Sequence, residues 1–197
     1  MLLSIRLIFV LTFLTAMLKS TEIVLFTFDL QGGLIVMSLE GKNAPDFTLD
    51  GSDGKRHSIK EYAGKTVVIF FYPKDNTPGC TKEACGFRDG YSRLAAKETV
   101  LLGVSKDSIT SHNKFISTFN LPFVLLSDPD TTMMSAYSAF GEKVMYGKKS
   151  FGTIRSTVVI GPDGIVRKHW TKVAKADQHP VQVLDYLATA QSGVTTQ

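Results

Sequence analysis

One run of residues constrains this chain more than any other. Thr66-Val67-Val68-Ile69-Phe70-Phe71-Tyr72 is a continuous stretch of β-branched and aromatic side chains, closed by Pro73. A run of that kind reads as a strand buried on both faces, where polar alternation is lost. Such a strand needs a covering layer on each side, and helices supply it most readily. The segments that follow fit this requirement. After Thr77-Pro78-Gly79 a helix-compatible stretch runs from about Cys80 to Lys97, with Thr77 placed to cap it and Pro78 suited to its first turn. Val100 to Ser105 reads as a second buried strand. Ser108 then caps a helix carrying Ile109, His112, Phe115, Ile116 and Phe119 at three- and four-residue spacing.

Phe123 to Leu126 is a third short strand, stopped by the turn signal Asp128-Pro129-Asp130, and a short helix follows through Met133, Met134 and Tyr137. Thr157 to Ile160 and Ile165 to Trp170 flank Gly161-Pro162-Asp163-Gly164, the pattern of a hairpin. A last helix is expected to show Val181, Leu184, Leu187 and Ala188 on one stripe. Ahead of all this, Phe47-Thr48-Leu49 and His57-Ser58-Ile59 suggest a small hairpin across Asp50 to Gly54. The order βαβαβ, hairpin, helix predicts an α/β domain: a mixed central sheet with helices on both faces. No internal repeat and no second domain is visible.

Residues 1 to 36 read differently. Leu7 to Leu18 carries no charge and is flanked by Arg6 and Lys19. It is shorter than the roughly 20 apolar residues of a membrane span, and the small-residue pattern of a secretory cleavage site fits it badly. Three readings stand: a mis-assigned start, a signal or anchor, or an ordered part of the domain. The first is preferred, because Gln31-Gly32-Gly33 can be encoded by CAAGGAGGA, which contains a bacterial ribosome-binding sequence at a suitable distance before Met37. The domain is therefore expected over residues 37–197. A start at Met37 implies a cytoplasmic protein; the alternatives are periplasmic or membrane-tethered.

Composition limits the function classes. Hydrophobic residues make up 44% and charged residues 20%, so a globular core is expected and a disordered chain is not. The net charge of +4 is scattered, with no basic run of the kind that forms a nucleic-acid arm. Lys143, Lys148, Lys149, Arg167, Lys168, Lys172 and Lys175 read as a solvated basic edge. His57, His112, His169 and His179 are dispersed and lack ligand spacing to the cysteines, which argues against a metal module.

Only two cysteines occur, Cys80 and Cys85. Cys80 stands where a buried strand passes through a proline-containing loop into a helix start. The unpaired N–H groups and the dipole there favour a thiolate. Thr77, one turn back, is placed to donate a hydroxyl hydrogen bond to the sulfur, and any arginine folded nearby adds positive charge. Such effects matter because a thiol of pKa about 8.5 is only about 3% ionised at neutral pH, and one near 6 is about 90% ionised. In an unbroken helix, residues five apart have Cα atoms roughly 8–9 Å apart. A disulfide needs less than about 7 Å. Cys80 and Cys85 can therefore pair only if the first turns unwind.

The segment Pro73-Lys74-Asp75-Asn76-Thr77-Pro78-Gly79-Cys80-Thr81 resembles the peroxiredoxin active-site signature, and Lys82-Glu83-Ala84-Cys85-Gly86-Phe87-Arg88-Asp89 resembles its atypical two-cysteine branch, the bacterioferritin comigratory protein or peroxiredoxin Q type. Gly103 to Asp107, Leu121-Pro122-Phe123, Leu126 to Pro129 and Arg155-Ser156-Thr157 extend the match from about Gly41 to the last helix. The resemblance implies a thioredoxin-like fold. It also implies a thiol-dependent peroxidase, acting on hydrogen peroxide and organic hydroperoxides in antioxidant defence and redox homeostasis. Cys80 would be the peroxidatic nucleophile and Cys85 the resolving cysteine, joined transiently as a disulfide that thioredoxin or a similar dithiol reduces. Thr77 and Arg155 would hold thiolate and peroxide, Pro73 would shield the pocket, and N–H groups of Gly79 and Cys80 would bind substrate. Glu83 would orient the arginine. No metal or organic cofactor is implied, and a monomer is expected. The alternative within the same fold is a thiol-disulfide oxidoreductase without peroxidase activity. That class usually separates its cysteines by two residues, whereas four intervene here.

Overall fold

The computed structural model describes residues 38–145 and 148–192. The expectations for residues 1 to 36 lie outside the described residues. The β-branched and aromatic run from Thr66 to Tyr72 forms β3 (Val67–Phe71), and every residue of that strand is buried. It lies centrally in a sheet of seven strands among the described residues, in the order β2-β1-β5-β4-β3-β8-β9. The strands are β1 (Thr48–Gly51), β2 (Arg56–Ser58), β4 (Val100–Ser105), β5 (Val124–Ser127), β8 (Ser156–Ile160) and β9 (Val166–Trp170). β3, β4 and β5 run parallel, while β8 pairs antiparallel with β3 and β9 with β8. The sheet is thus mixed, as expected from three crossover strands followed by a hairpin.

Alternation along β3 sends side chains into two separate cores. Val68 and Phe70, with Tyr72, face Ala84 and Phe87 of α1 (Pro78–Asp89), Leu94 of α2 (Tyr91–Ala95), Phe115 of α3 (Ile109–Phe119) and Val183 of α5 (His179–Ser192). Val67, Ile69 and Phe71 face Phe47, Tyr137 and the Met133–Met134 pair of α4 (Thr132–Ala136). Helices cover both faces, unequally. Ser108 caps α3 as its position predicts, its hydroxyl oxygen accepting from Ser111 N at 3.3 Å.

Four sequence expectations change. The helix expected from Cys80 to Lys97 is two, α1 and α2, broken at Gly90. A Cβ on Gly90 would lie 2.3 Å from Leu184 Cδ1, so the missing side chain is what lets α5 pack there. On α5 the buried stripe is Val183, Leu184 and Leu187, and Val181 is 55% exposed. Where the sequence predicts no strand, β6 (Phe140–Met145) pairs antiparallel with β7 (Lys148–Thr153). The basic edge is also partly neutralised. Lys149 pairs with Glu142 at 3.0 Å, Lys168 with Glu40 at 3.1 Å, and Arg167 with Asp163. Among the described residues no helix is long and apolar enough to cross a membrane.

Candidate active site

The chain leaves β3 through Tyr72 and Pro73 and enters α1 at Pro78. Asn76 in the intervening loop takes a left-handed conformation, φ 57°. Asparagine tolerates that conformation better than most residues. Cys80 is the third residue of α1 and is 2% exposed; Cys85 is half-buried on the same helix, and both are free thiols. The N–H groups of Gly79 and Cys80 fall in the first turn, where no carbonyl of the helix can reach them. Thr81 N is the first to bond back, to Thr77 O at 2.8 Å.

Arg155 reaches this helix start because β8 is registered against β3, with Ser156 opposite Phe71. Its Nη2 donates to Cys80 Sγ at 3.2 Å, and its Nη1 donates to Glu83 Oε2 in a short ion pair. One guanidinium thus bridges two residues a helical turn apart on α1, a geometry a single ammonium cannot reproduce. Burial works against the arginine's charge, but Glu83 and the Cys80 sulfur outweigh it, and the Arg155 pKa is raised. Glu83 is fully buried, and burial pushes its carboxyl up to about 7 although Arg155 pulls the other way. Its second oxygen, Oε1, has no hydrogen-bond partner. Gly79 packs beneath the guanidinium, where a Cβ would sit 3.5 Å from Nη2.

Thr77 differs from expectation in its bonding. Its hydroxyl donates to Lys74 O at 2.9 Å rather than to the Cys80 sulfur, and it makes no side-chain cap on α1. A hydroxyl has one proton; here the tight turn from Lys74 takes it, and the oxygen lone pairs remain for a donor. Pro73 is half-buried at the mouth of the same loop.

Beneath the loop lies a cluster that the sequence reading did not assemble. Asp75, 4% exposed, accepts from Tyr72 Oη at 2.7 Å and from Ser111 Oγ at 2.8 Å, and lies 2.9 Å from His112 Nδ1. The helical stripe had placed His112 on the core face of α3, but no periodicity connects it to Asp75. The other three histidines are also buried, and among the described residues no group of three or more His, Cys, Asp or Glu side chains is placed to hold a metal ion.

A buried thiol at a helix start, touched by a half-buried arginine on a thioredoxin-like sheet, defines the class of thiol-based enzymes. The family model described as AhpC/TSA family matches residues 41–169, and the chain belongs to that family, in its bacterioferritin comigratory protein or peroxiredoxin Q group. A putative peroxiredoxin bcp of Coxiella burnetii is 47% identical over 152 residues, covering 77% of this chain and 100% of the relative. Peroxiredoxin Bcp of Bacillus subtilis is 42% identical, covering 77% of this chain and 96% of its own. Among solved structures, the Xanthomonas campestris bacterioferritin comigratory protein, described for its alkyl peroxide reduction activity, superposes with a TM-score of 0.69 at 38% identity. The match covers 73% of this chain and 91% of that one. The protein is a thiol-dependent peroxidase, using peroxide substrates and a thiol reductant.

Proposed function

We propose that Cys80 is the peroxidatic residue and Cys85 its resolving partner. The observation that carries this reading is the 3.2 Å contact from Arg155 Nη2 to the buried Cys80 sulfur at the start of α1. The Cys80 thiolate attacks one oxygen of the hydroperoxide in line with the O–O bond. The sulfur gains that hydroxyl as a sulfenic acid, and the other oxygen leaves and takes a proton as water or alcohol. Arg155 opposes the charge that builds on sulfur and leaving oxygen, and the N–H groups of Gly79 and Cys80 hold the substrate. Thr77, with its own proton committed to Lys74 O, accepts from the peroxide hydroxyl. Pro73 keeps water from the loop.

Cys85 then displaces hydroxide from the sulfenic acid, forming the Cys80–Cys85 disulfide and water once α1 has unwound. Thioredoxin, or a dithiol like it, reduces that bond, which unwinding brings to the surface. Both cysteines stand on one helix, so the cycle is complete within a monomer. A cytoplasmic setting, where dithiols are kept reduced, suits it. Hydrogen peroxide and organic hydroperoxides are the proposed substrates; the second class is supported by the alkyl peroxide activity described for the Xanthomonas protein.

The resolving role is tested with Cys85→Ser. That protein is expected to consume its first equivalent of peroxide at the wild-type rate and then stop, with thioredoxin unable to recycle it. Full steady-state turnover with thioredoxin would remove Cys85 from the cycle.

A further inference from the structure

The loop that carries the active cysteine is tied down at one point. Asp75 receives Tyr72 Oη on Oδ1, and Ser111 Oγ on Oδ2, which also faces His112 Nδ1. The His112 ring is fully buried, and its Nε2 lies 3.2 Å from Leu126 O. A carbonyl oxygen and a carboxylate oxygen can only accept, so His112 is the donor in both contacts. Burial works to raise the Asp75 pKa, but the bonds from His112 and Tyr72 prevail and hold it below the usual carboxylate value. The backbone is tied as well. Asp75 N donates to Asp107 Oδ2 at 2.9 Å, and that oxygen also accepts from Ser105 Oγ at 2.7 Å. The residues just after β3 and β4 and the helix α3 therefore all bond Asp75, five positions before Cys80, while β5 holds His112 through Leu126 O.

The next residues are not held in this way. Asn76 is in the left-handed region, and the Thr77 side chain bonds only within the loop. An unfavourable backbone conformation persists when its surroundings fix it, and Asp75 is the fixed side.

We propose that the Asp75–His112 pair is a positioning element: it anchors the base of the cysteine loop, keeps Thr77 and the first turn of α1 aligned with Arg155, and confines unwinding to the chain beyond Cys80. It thereby sets the fate of the sulfenic acid. In the folded pocket the Cys80 sulfenic acid faces a second peroxide, and gives a sulfinic acid and water. In the unwound form it meets Cys85, and gives the disulfide and water. A weaker anchor shifts the balance towards the unwound form. This inference rests on the proposed roles of Cys80 and Cys85.

Asp75→Asn keeps the shape and removes the charge. Its first-turnover rate with hydrogen peroxide should fall about tenfold or more, since misalignment of reacting groups is costly. The peroxide concentration that converts half of Cys80 to sulfinic acid, read by intact mass, should rise about tenfold, the effect of losing a buried charge-assisted bond. Val166→Ala on the opposite core is the control, because it lowers Tm without touching the loop. It should leave both readings unchanged after a comparable loss of Tm. Equal effects in the two variants, or wild-type values in Asp75→Asn, would overturn the anchor. If Asp75→Asn does not fold, Ser111→Ala removes one donor to Asp75 and should move both readings the same way by a smaller amount; no change there overturns the proposal equally. Failure of the underlying roles looks different: the wild-type protein would then form no Cys80–Cys85 disulfide with one equivalent of peroxide.

Discussion

At the scale of single residues, the site depends on one guanidinium that serves two partners. Arg155 holds the Cys80 sulfur with Nη2 and the Glu83 carboxylate with Nη1. Removing a preorganised donor of this kind from a buried site typically costs about 10²–10³ in rate. Arg155→Lys keeps the charge but offers a compact ammonium that cannot span both groups. A loss of about 10²-fold in the single-turnover rate is therefore expected even in this conservative variant, and a loss under threefold would show that charge alone suffices. That Cys80, Thr77, Gly79 and Arg155 come together at one helix start was legible in the sequence, because motif residues keep their spacing. What Thr77 bonds to was not, since a hydroxyl chooses among nearby acceptors only when the turn has formed. Asp75 and His112 were not assembled either, because 37 positions separate them and only the packing of α3 beside the loop after β3 brings them together.

At the scale of elements, α1 decides the chemistry. It runs unbroken from Pro78 to Asp89, so the two thiols on it stand too far apart to bond. The proposed Cys80–Cys85 disulfide thus requires part of the helix to unwind. Amide exchange over Thr81 to Phe87 should therefore accelerate in the disulfide form, with β3 and β4 unchanged, as read by hydrogen–deuterium exchange of matched oxidised and reduced samples. Equal protection in both forms would contradict the unwinding. The buried strands and the periodic α3 were readable because burial writes a continuous or periodic apolar pattern. The break at Gly90 was not, since it answers to Leu184, far along the chain. The β6–β7 hairpin was missed for a related reason: its sequence, rich in lysine and glycine, shows no alternation, and the pair stands apart from the main sheet. On α5, Val181 and Val183 are both plausible core residues by type, and the docking angle selects Val183.

At the scale of the whole molecule, burial of titratable groups links stability to pH. Burial lowers the pKa of His169 and of His179 to about 4, and raises that of Glu83 to about 7. Between about pH 4.5 and 6.5 the unfolded chain binds protons at both histidines that the folded protein refuses, while the folded protein keeps a proton on Glu83 that the unfolded chain gives up. Two terms oppose one, so folding stability should rise with pH across that window. Thermal unfolding at intervals from pH 4.5 to 7.5 reads this directly, and His179→Gln should flatten the slope. A Tm that falls as pH rises through the window would mean that the histidines are not held neutral. The same buried environment serves function, because the sheet that buries His179 also carries Arg155 to the start of α1, where all the proposed chemistry is concentrated.

This placement is proposed to make Cys80 a reactive peroxidatic thiolate. The measurement that tests it most directly is the rate at which fully reduced protein consumes one equivalent of hydrogen peroxide, beside Cys80→Ser protein and free cysteine. A rate orders of magnitude above free cysteine, abolished in Cys80→Ser, is the expected result. A rate no greater than that of free cysteine, or one that survives the substitution, would contradict it.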